Sequence, residues 1–168
     1  VVEAVSRWIR GARSAQVVSW LMGLAIFFDD YTNTLVVGNT MRPITDRLRI
    51  SREKLSYIVD STAAPVTTVA LVSTWVGYQV SLIRDGLAEV GGDPTEAYAT
   101  FIHSIPYSSY SWLALALVLI LALSGRDYGP MLAAERRCRR TGAATREGAQ
   151  PLMDEVGQDL APPAGVRG

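Results

Sequence analysis

The sequence is poor in the residues that build reactive or metal-binding centres. Its 168 residues contain one histidine, His103, and one cysteine, Cys138. One cysteine excludes an internal disulfide, and the pair cannot supply a His- or Cys-rich zinc site. Lysine is nearly absent, with Lys54 standing against fifteen arginines, a bias that assigns no function. Neither sign of charge is in excess: 16 basic and 16 acidic residues give a formal net charge of zero, which argues against a general nucleic-acid binder. The chain opens Val1-Val2-Glu3, with no initiator methionine and no signal-peptide pattern. A processed protein or an excised fragment would look like this, and the expectation is a fragment.

What the sequence does have is apolar residues gathered into three blocks, with the charges crowded between them. Residues 1–16 are an amphipathic basic segment, with Arg7, Arg10 and Arg13 at helical spacing beside Trp8. Such a segment suits a membrane surface or an ordinary solvated helix end. Residues 17–41 form the first apolar block, interrupted near its middle by Asp29 and Asp30. Two carboxylates at that depth are costly in lipid and should face protein or water. The block therefore reads as a broken or re-entrant membrane segment, with the hairpin slightly favoured and Gly38 as a further break.

Residues 42–58 are a basic connector of net charge +3 within the span 42–60, and Ser51 reads as a helix start. Residues 61–83 are 23 residues without a charge, long enough to be a transmembrane helix, with Pro65 disturbing its first turns. Thr67, Thr74 and Ser81 recur every seven residues as one polar stripe. That stripe is either a helix-packing surface or the lining of a hydrophilic path. Residues 84–106 read as an acidic loop with an interfacial helix, turning at Gly91-Gly92-Asp93-Pro94 and broken at Pro106. His103 sits there, more simply as a packed residue than as a proton carrier. Residues 107–124 are the most lipid-like run, anchored by Tyr110 and Trp112. Residues 125–168 begin Arg-rich and end rich in Gly, Pro and Ala, a pattern expected to be largely disordered.

The fold class expected is all-α, a polytopic membrane protein holding part of one inverted repeat with broken or re-entrant helices. The basic segments 42–58 and 125–147 go to the cytoplasm and the acidic 84–111 goes outside. Two or three spans rarely make a transporter alone, so the missing remainder of the same polypeptide is an expected partner.

The chemistry lies at the charged breaks, Phe27 to Thr34 and Asp60 to Pro65. Both offer carboxylate, hydroxyl or amide oxygens, the donors a hard cation such as sodium prefers. If helix persists through the first break, Asp29 and Asn33 share one face, and Asp30 and Thr34 another. A buried carboxylate that holds either a proton or a cation, alternately exposed to the two sides, would yield exchange. The plainer readings are a structural salt bridge for the acidic pair and a helix N-cap for Asp60-Ser61-Thr62.

At these residues the sequence resembles the NhaC-type sodium/proton antiporter family. The strings FFDDY, MRPITD, ISREKL and DSTAAP occur in this order between Gly23 and Trp75. FIHSIPYSSY (Phe101 to Tyr110) and GRDYGPMLAAERR (Gly125 to Arg137) agree with it. The resemblance covers roughly residues 16–153 and implies a multi-pass inner-membrane secondary transporter longer than this chain. Its substrates would be sodium ions and protons in a lipid bilayer, with no cofactor, no enzymatic activity and no metal beyond transported sodium. A homodimer is left open. The matched positions Asp29, Asp30, Asn33, Thr34, Asp60, Ser61 and Thr62 become candidate ion ligands, with Thr67 and Thr74 lining a pathway. Relatives that carry organic acids such as malate or lactate make a sodium- or proton-coupled organic-acid or amino-acid carrier the alternative. An intramembrane aspartyl protease using Asp29 with Asp60, or a purely structural subunit, are readings from other classes.

Overall fold

The computed structural model describes residues 9–149, and these are helical, with no strand among them. Within the described residues seven α-helices follow in order: α1 (Ala12–Ala25), α2 (Asp30–Arg47), α3 (Arg52–Val69), α4 (Thr74–Glu89), α5 (Ala97–Ser104), α6 (Ser109–Ser124) and α7 (Gly129–Thr141). Three of them start where short oxygen side chains meet free N–H groups. Asp29 accepts from Thr32 N at 2.7 Å and begins α2, Ser51 accepts from Lys54 N at 3.2 Å and begins α3, and Ser73 accepts from Val76 N at 3.2 Å and begins α4. Each satisfies an N–H that a helix's first turn leaves unpaired.

α1 and α2 form an antiparallel hairpin. Ala15 of α1 packs with Val37 and Met41 of α2, and Ile50, Leu55 and Val59 complete this buried cluster. α3 is the central helix, touching α1, α2, α6 and α7. α6 crosses the same bundle. Trp20 Nε1 donates to Leu115 O at 3.2 Å, and the Thr68 and Ser111 hydroxyls are 2.8 Å apart. α6 ends at Gly125, whose φ of 62° is the left-handed conformation that closes a helix without a Cβ penalty. α4 and α5 pack mainly on each other beyond the hairpin tip, joined by the 3₁₀ turn Pro94–Glu96.

One helical stretch among the described residues, Ser109–Thr141, is long and apolar enough to cross a membrane, and only 22% of its most apolar window is buried. That exposure is unlike the core helix of a soluble protein. Arg52–Val69 and Thr74–Glu89, bent by 46°, make a second candidate if taken as one span.

Several expectations meet a different geometry. The charge-free run 61–83 is not one helix: α3 begins well before it, at the Ser51 cap, and the helix breaks at residues 70–73. Asp60-Ser61-Thr62 therefore lies inside a helix and caps nothing. Pro65 is accommodated within α3, ahead of the break, and Gly38 lies in the unbroken α2, where a Cβ would meet open space. Neither residue breaks its helix. The interruption between α3 and α4 also cuts the Thr67–Thr74–Ser81 stripe, leaving Thr67 buried and Thr74 and Ser81 exposed. The segment from residue 125 expected to lack order holds α7, because Glu135 and Cys138 are buried against the base of α3. Residues 1–8 of the amphipathic segment and residues 150–168 lie outside the described residues.

The α4–α5 turn carries a readable charge. Hydrogen bonds from the Thr95 hydroxyl and backbone N–H hold the Asp93 carboxyl below its ordinary value of 3.8. A depressed folded pKa stabilises above the unfolded value and is lost as pH falls through the folded one. Thr95→Ala is expected to raise the Asp93 pKa towards 3.8, read by a carboxyl NMR titration of the turn. An unchanged value would remove Thr95 as the cause.

Candidate functional site

The two helix interruptions meet. Residues 26–29 separate α1 from α2, and residues 70–73 separate α3 from α4. Thr74 N donates to Phe28 O at 3.0 Å, and Thr74 Oγ1 lies 3.4 Å from Asp29 Oδ2. The C-terminal ends of α1 and α3 and the N-terminal ends of α2 and α4 thus converge at one crossing. Helix ends carry unpaired carbonyls and N–H groups and the partial charges of the helix dipole.

Asn33 sits one turn into α2 and is fully buried. Its Nδ2 donates to Gly23 O at 2.7 Å and to Ile26 O at 2.9 Å, tying α2 to the last turn of α1. Two carbonyl partners require the donating end of the amide, which fixes the other end as oxygen. That oxygen, Oδ1, is buried and has no hydrogen-bond partner among the described residues. A buried acceptor without a donor is costly unless a cation or water answers it.

Gly23 makes this arrangement possible. A Cβ there would stand 2.7 Å from Thr62 Cγ2, 3.2 Å from Thr62 Cβ and 3.7 Å from Asn33 Oδ1. Thr62 is itself buried, its hydroxyl donating to Ile58 O at 2.6 Å. At the other interruption Ser73 Oγ donates to Thr67 O at 2.7 Å, while Thr67 Oγ1 turns back to Ala64 O at 2.9 Å.

The candidate ligands therefore divide. Asp29, Asn33, Thr62 and Thr74 belong to the crossing or its immediate wall. The Asp30 carboxylate bonds locally, accepting from Tyr31 N at 3.1 Å. Thr34 and Asp60 line a separate groove of about 350 Å³ between α2 and α3, with Asn39, Arg42, Arg52 and Ser56. Ser61 is half-buried on α3, where its hydroxyl meets Tyr57 of the same helix rather than the crossing. Sequence reasoning missed Gly23, Ser73 and the Phe28 carbonyl. Ser73-Thr74 after an apolar run is a legible N-cap signal, and Gly23 inside one is a legible sign of close helix approach. Among the described residues no cluster of three His, Cys, Asp or Glu could hold a metal ion.

The Na+/H+ antiporter family matches residues 66–158 of the sequence. The chain belongs to the Na+/H+ antiporter family. The match takes in the α3–α4 break and the helices α4 to α7 after it, and begins beyond the hairpin tip. A curated relative, an uncharacterized protein of Haemophilus influenzae, is 34% identical over 128 residues, covering 76% of this chain and 25% of the relative. The chain thus spans about a quarter of that relative's length. No solved structure matches the chain.

The lack of slack at Gly23 is testable. Gly23→Ala is expected to destabilise the bundle by about 1–3 kcal/mol, the usual cost of overpacking. Thr62→Ser removes the Cγ2 nearest the new methyl and should restore part of the loss. Thermal unfolding in detergent reads both, and a Gly23→Ala protein as stable as the parent would refute the close contact.

Proposed function

We propose that this chain forms part of a secondary transporter of the NhaC type. It exchanges sodium ions for protons across the cytoplasmic membrane by alternating access. The observation that carries the reading is the orphaned Asn33 Oδ1, buried where two interrupted helices cross. Oxygen donors of several kinds surround that crossing, and a hard, weakly held cation is bound by such a set. Interrupted helices facing one another are a recurrent way for transporters to build an ion site.

The Asp29 carboxylate supplies the proton link. The Thr32 N–H favours its charged form, so a cation is its ordinary occupant and a proton competes only from the more acidic side of the membrane. Opening the crossing to one side and then the other turns that competition into exchange. Asn33, Thr62 and Thr74 would assist as neutral ligands, with Thr67 lining the approach. Asp30, Thr34, Asp60 and Ser61 take the lesser place, as groups along an approach through the α2–α3 groove. The basic segments 42–58 and 125–147 lie in the cytoplasm, the acidic 84–111 lies outside, and the remainder of the polypeptide completes the transporter.

The test is sodium-induced dissipation of a preformed pH gradient in inverted vesicles carrying the full-length protein. Asp29→Asn keeps a good helix cap and should abolish the response. Asp30→Asn should leave most of it. The reverse order would move the site to the Thr34 and Asp60 groove. No response to any alkali cation, with the protein inserted, would favour the organic-acid or amino-acid carrier.

A further inference from the structure

The end of α3 far from the crossing is held by charged groups that exchange chemistry does not use. Glu135 of α7 is buried, with 1% of its surface exposed, yet it carries a carboxylate. Its Oε1 accepts from both Ser51 N and Ser51 Oγ at 2.8 Å, and its Oε2 lies 3.4 Å from Arg139 Nη2. Ser51 is the N-cap of α3, so a buried anion is set against that helix's positive end. Two ion pairs flank it: Lys54 with Asp127, both buried, and Arg137 with Glu53 at 2.9 Å. Arg52 N also donates to Ala144 O at 2.9 Å. The segment after α6 thus grips the first turn of α3 from several sides.

α3 runs unbroken from this grip to the crossing. From Ser51 to Thr62 is about 16 Å of helix. Helices transmit translation and rotation along their axes, and at Thr62 there is no room to absorb either. A single added carbon at Gly23 would already lie 2.7 Å from Thr62 Cγ2. Asn33 Oδ1 lies against the same point.

We propose that Glu135 is a positioning residue for the cation site. By fixing the N-terminus of α3 it sets the depth and rotation at which Thr62 meets Gly23 and the Asn33 oxygen. The functional consequence rests on the exchange reading above, whereas the mechanical link does not. α7 is then a part of the transport machinery that contacts no ion.

The experiment varies the length of the Glu135 side chain in the full-length protein. Glu135→Asp is one methylene shorter and keeps the charge. Glu135→Gln keeps the length and the Oε1 acceptor. Misplacing a site by about 1 Å can cost two orders of magnitude, so Glu135→Asp should raise the apparent KM for sodium at least about tenfold. Glu135→Gln should stay within a few-fold of the parent. A loss of stability alone would lower the transport maximum through the amount of protein and leave KM unchanged.

A second readout needs no transport. Thr62→Cys, with Cys138 and any cysteine of the remaining polypeptide replaced by Ala, should resist N-ethylmaleimide, and adding Glu135→Asp should make it reactive. Should Glu135→Asp fail to accumulate, Ser51→Ala removes one of the two bonds and should act in the same direction. Parental KM and parental thiol reactivity in these variants would overturn the proposal. If the parent itself shows no sodium response, the exchange reading fails, and maleimide labelling of the Thr62→Cys protein still decides whether Glu135 positions α3.

Discussion

Ending a helix inside an apolar bundle exposes carbonyls that must be answered, and this fold is arranged around that requirement. Asn33 answers it for α1, by giving its amide hydrogens to Gly23 O and Ile26 O. Ser73 answers it for α3, by donating to Thr67 O. Without these side chains neither break could sit where it does, since each unpaired buried carbonyl costs about 1–3 kcal/mol. The hairpin geometry follows from the Asn33 bonds, because they hold α2 back along α1 rather than letting it continue the same axis. The packing of Ala15 on Val37 and Met41 then becomes available.

The remainder of the bundle distributes polar and apolar contacts unequally. Around the crossing, interactions are short hydrogen bonds between neutral groups and one carboxylate. At the opposite end of α3 they are ion pairs among Glu53, Lys54, Asp127, Glu135, Arg137 and Arg139. In between, the faces of α6 are apolar all round, with Leu113, Leu117, Ile120 and Leu123 exposed. Charge thus gathers at one end of the bundle, apolar surface along the middle and helix ends at the crossing.

Much of this organisation was legible, for particular physical reasons. Asp29-Asp30 in an apolar run signals a break, since a helix start is one of few places where carboxylates within such a run find N–H partners. Ser51 signals a helix start by its hydroxyl, and Gly91-Gly92-Asp93-Pro94 signals a turn by its dihedral needs. The α3–α4 break was faint, because residues 70–73 carry no charge, proline or glycine and the Ser73 cap is its one local signal. The N–H that the new helix start leaves free at Thr74 is answered by another segment, at Phe28 O. Pro65 and Gly38 misled for the opposite reason, since tertiary packing carries their helices through residues of poor propensity. Asp60 looked equivalent to Asp29 in sequence and is not, because a helix that begins at Ser51 turns it into the α2–α3 groove.

The solitary lysine has a practical consequence. Lys54 is 1% exposed and paired with a similarly enclosed Asp127. Along this stretch of polypeptide an amine-directed reagent meets one side chain, and that one is shielded while α3 and the turn after α6 stay together. Acylation of Lys54 is therefore a chemical clock for the parting of those two segments, a motion that fluorescence of the chain's scattered tryptophans would report only as an average.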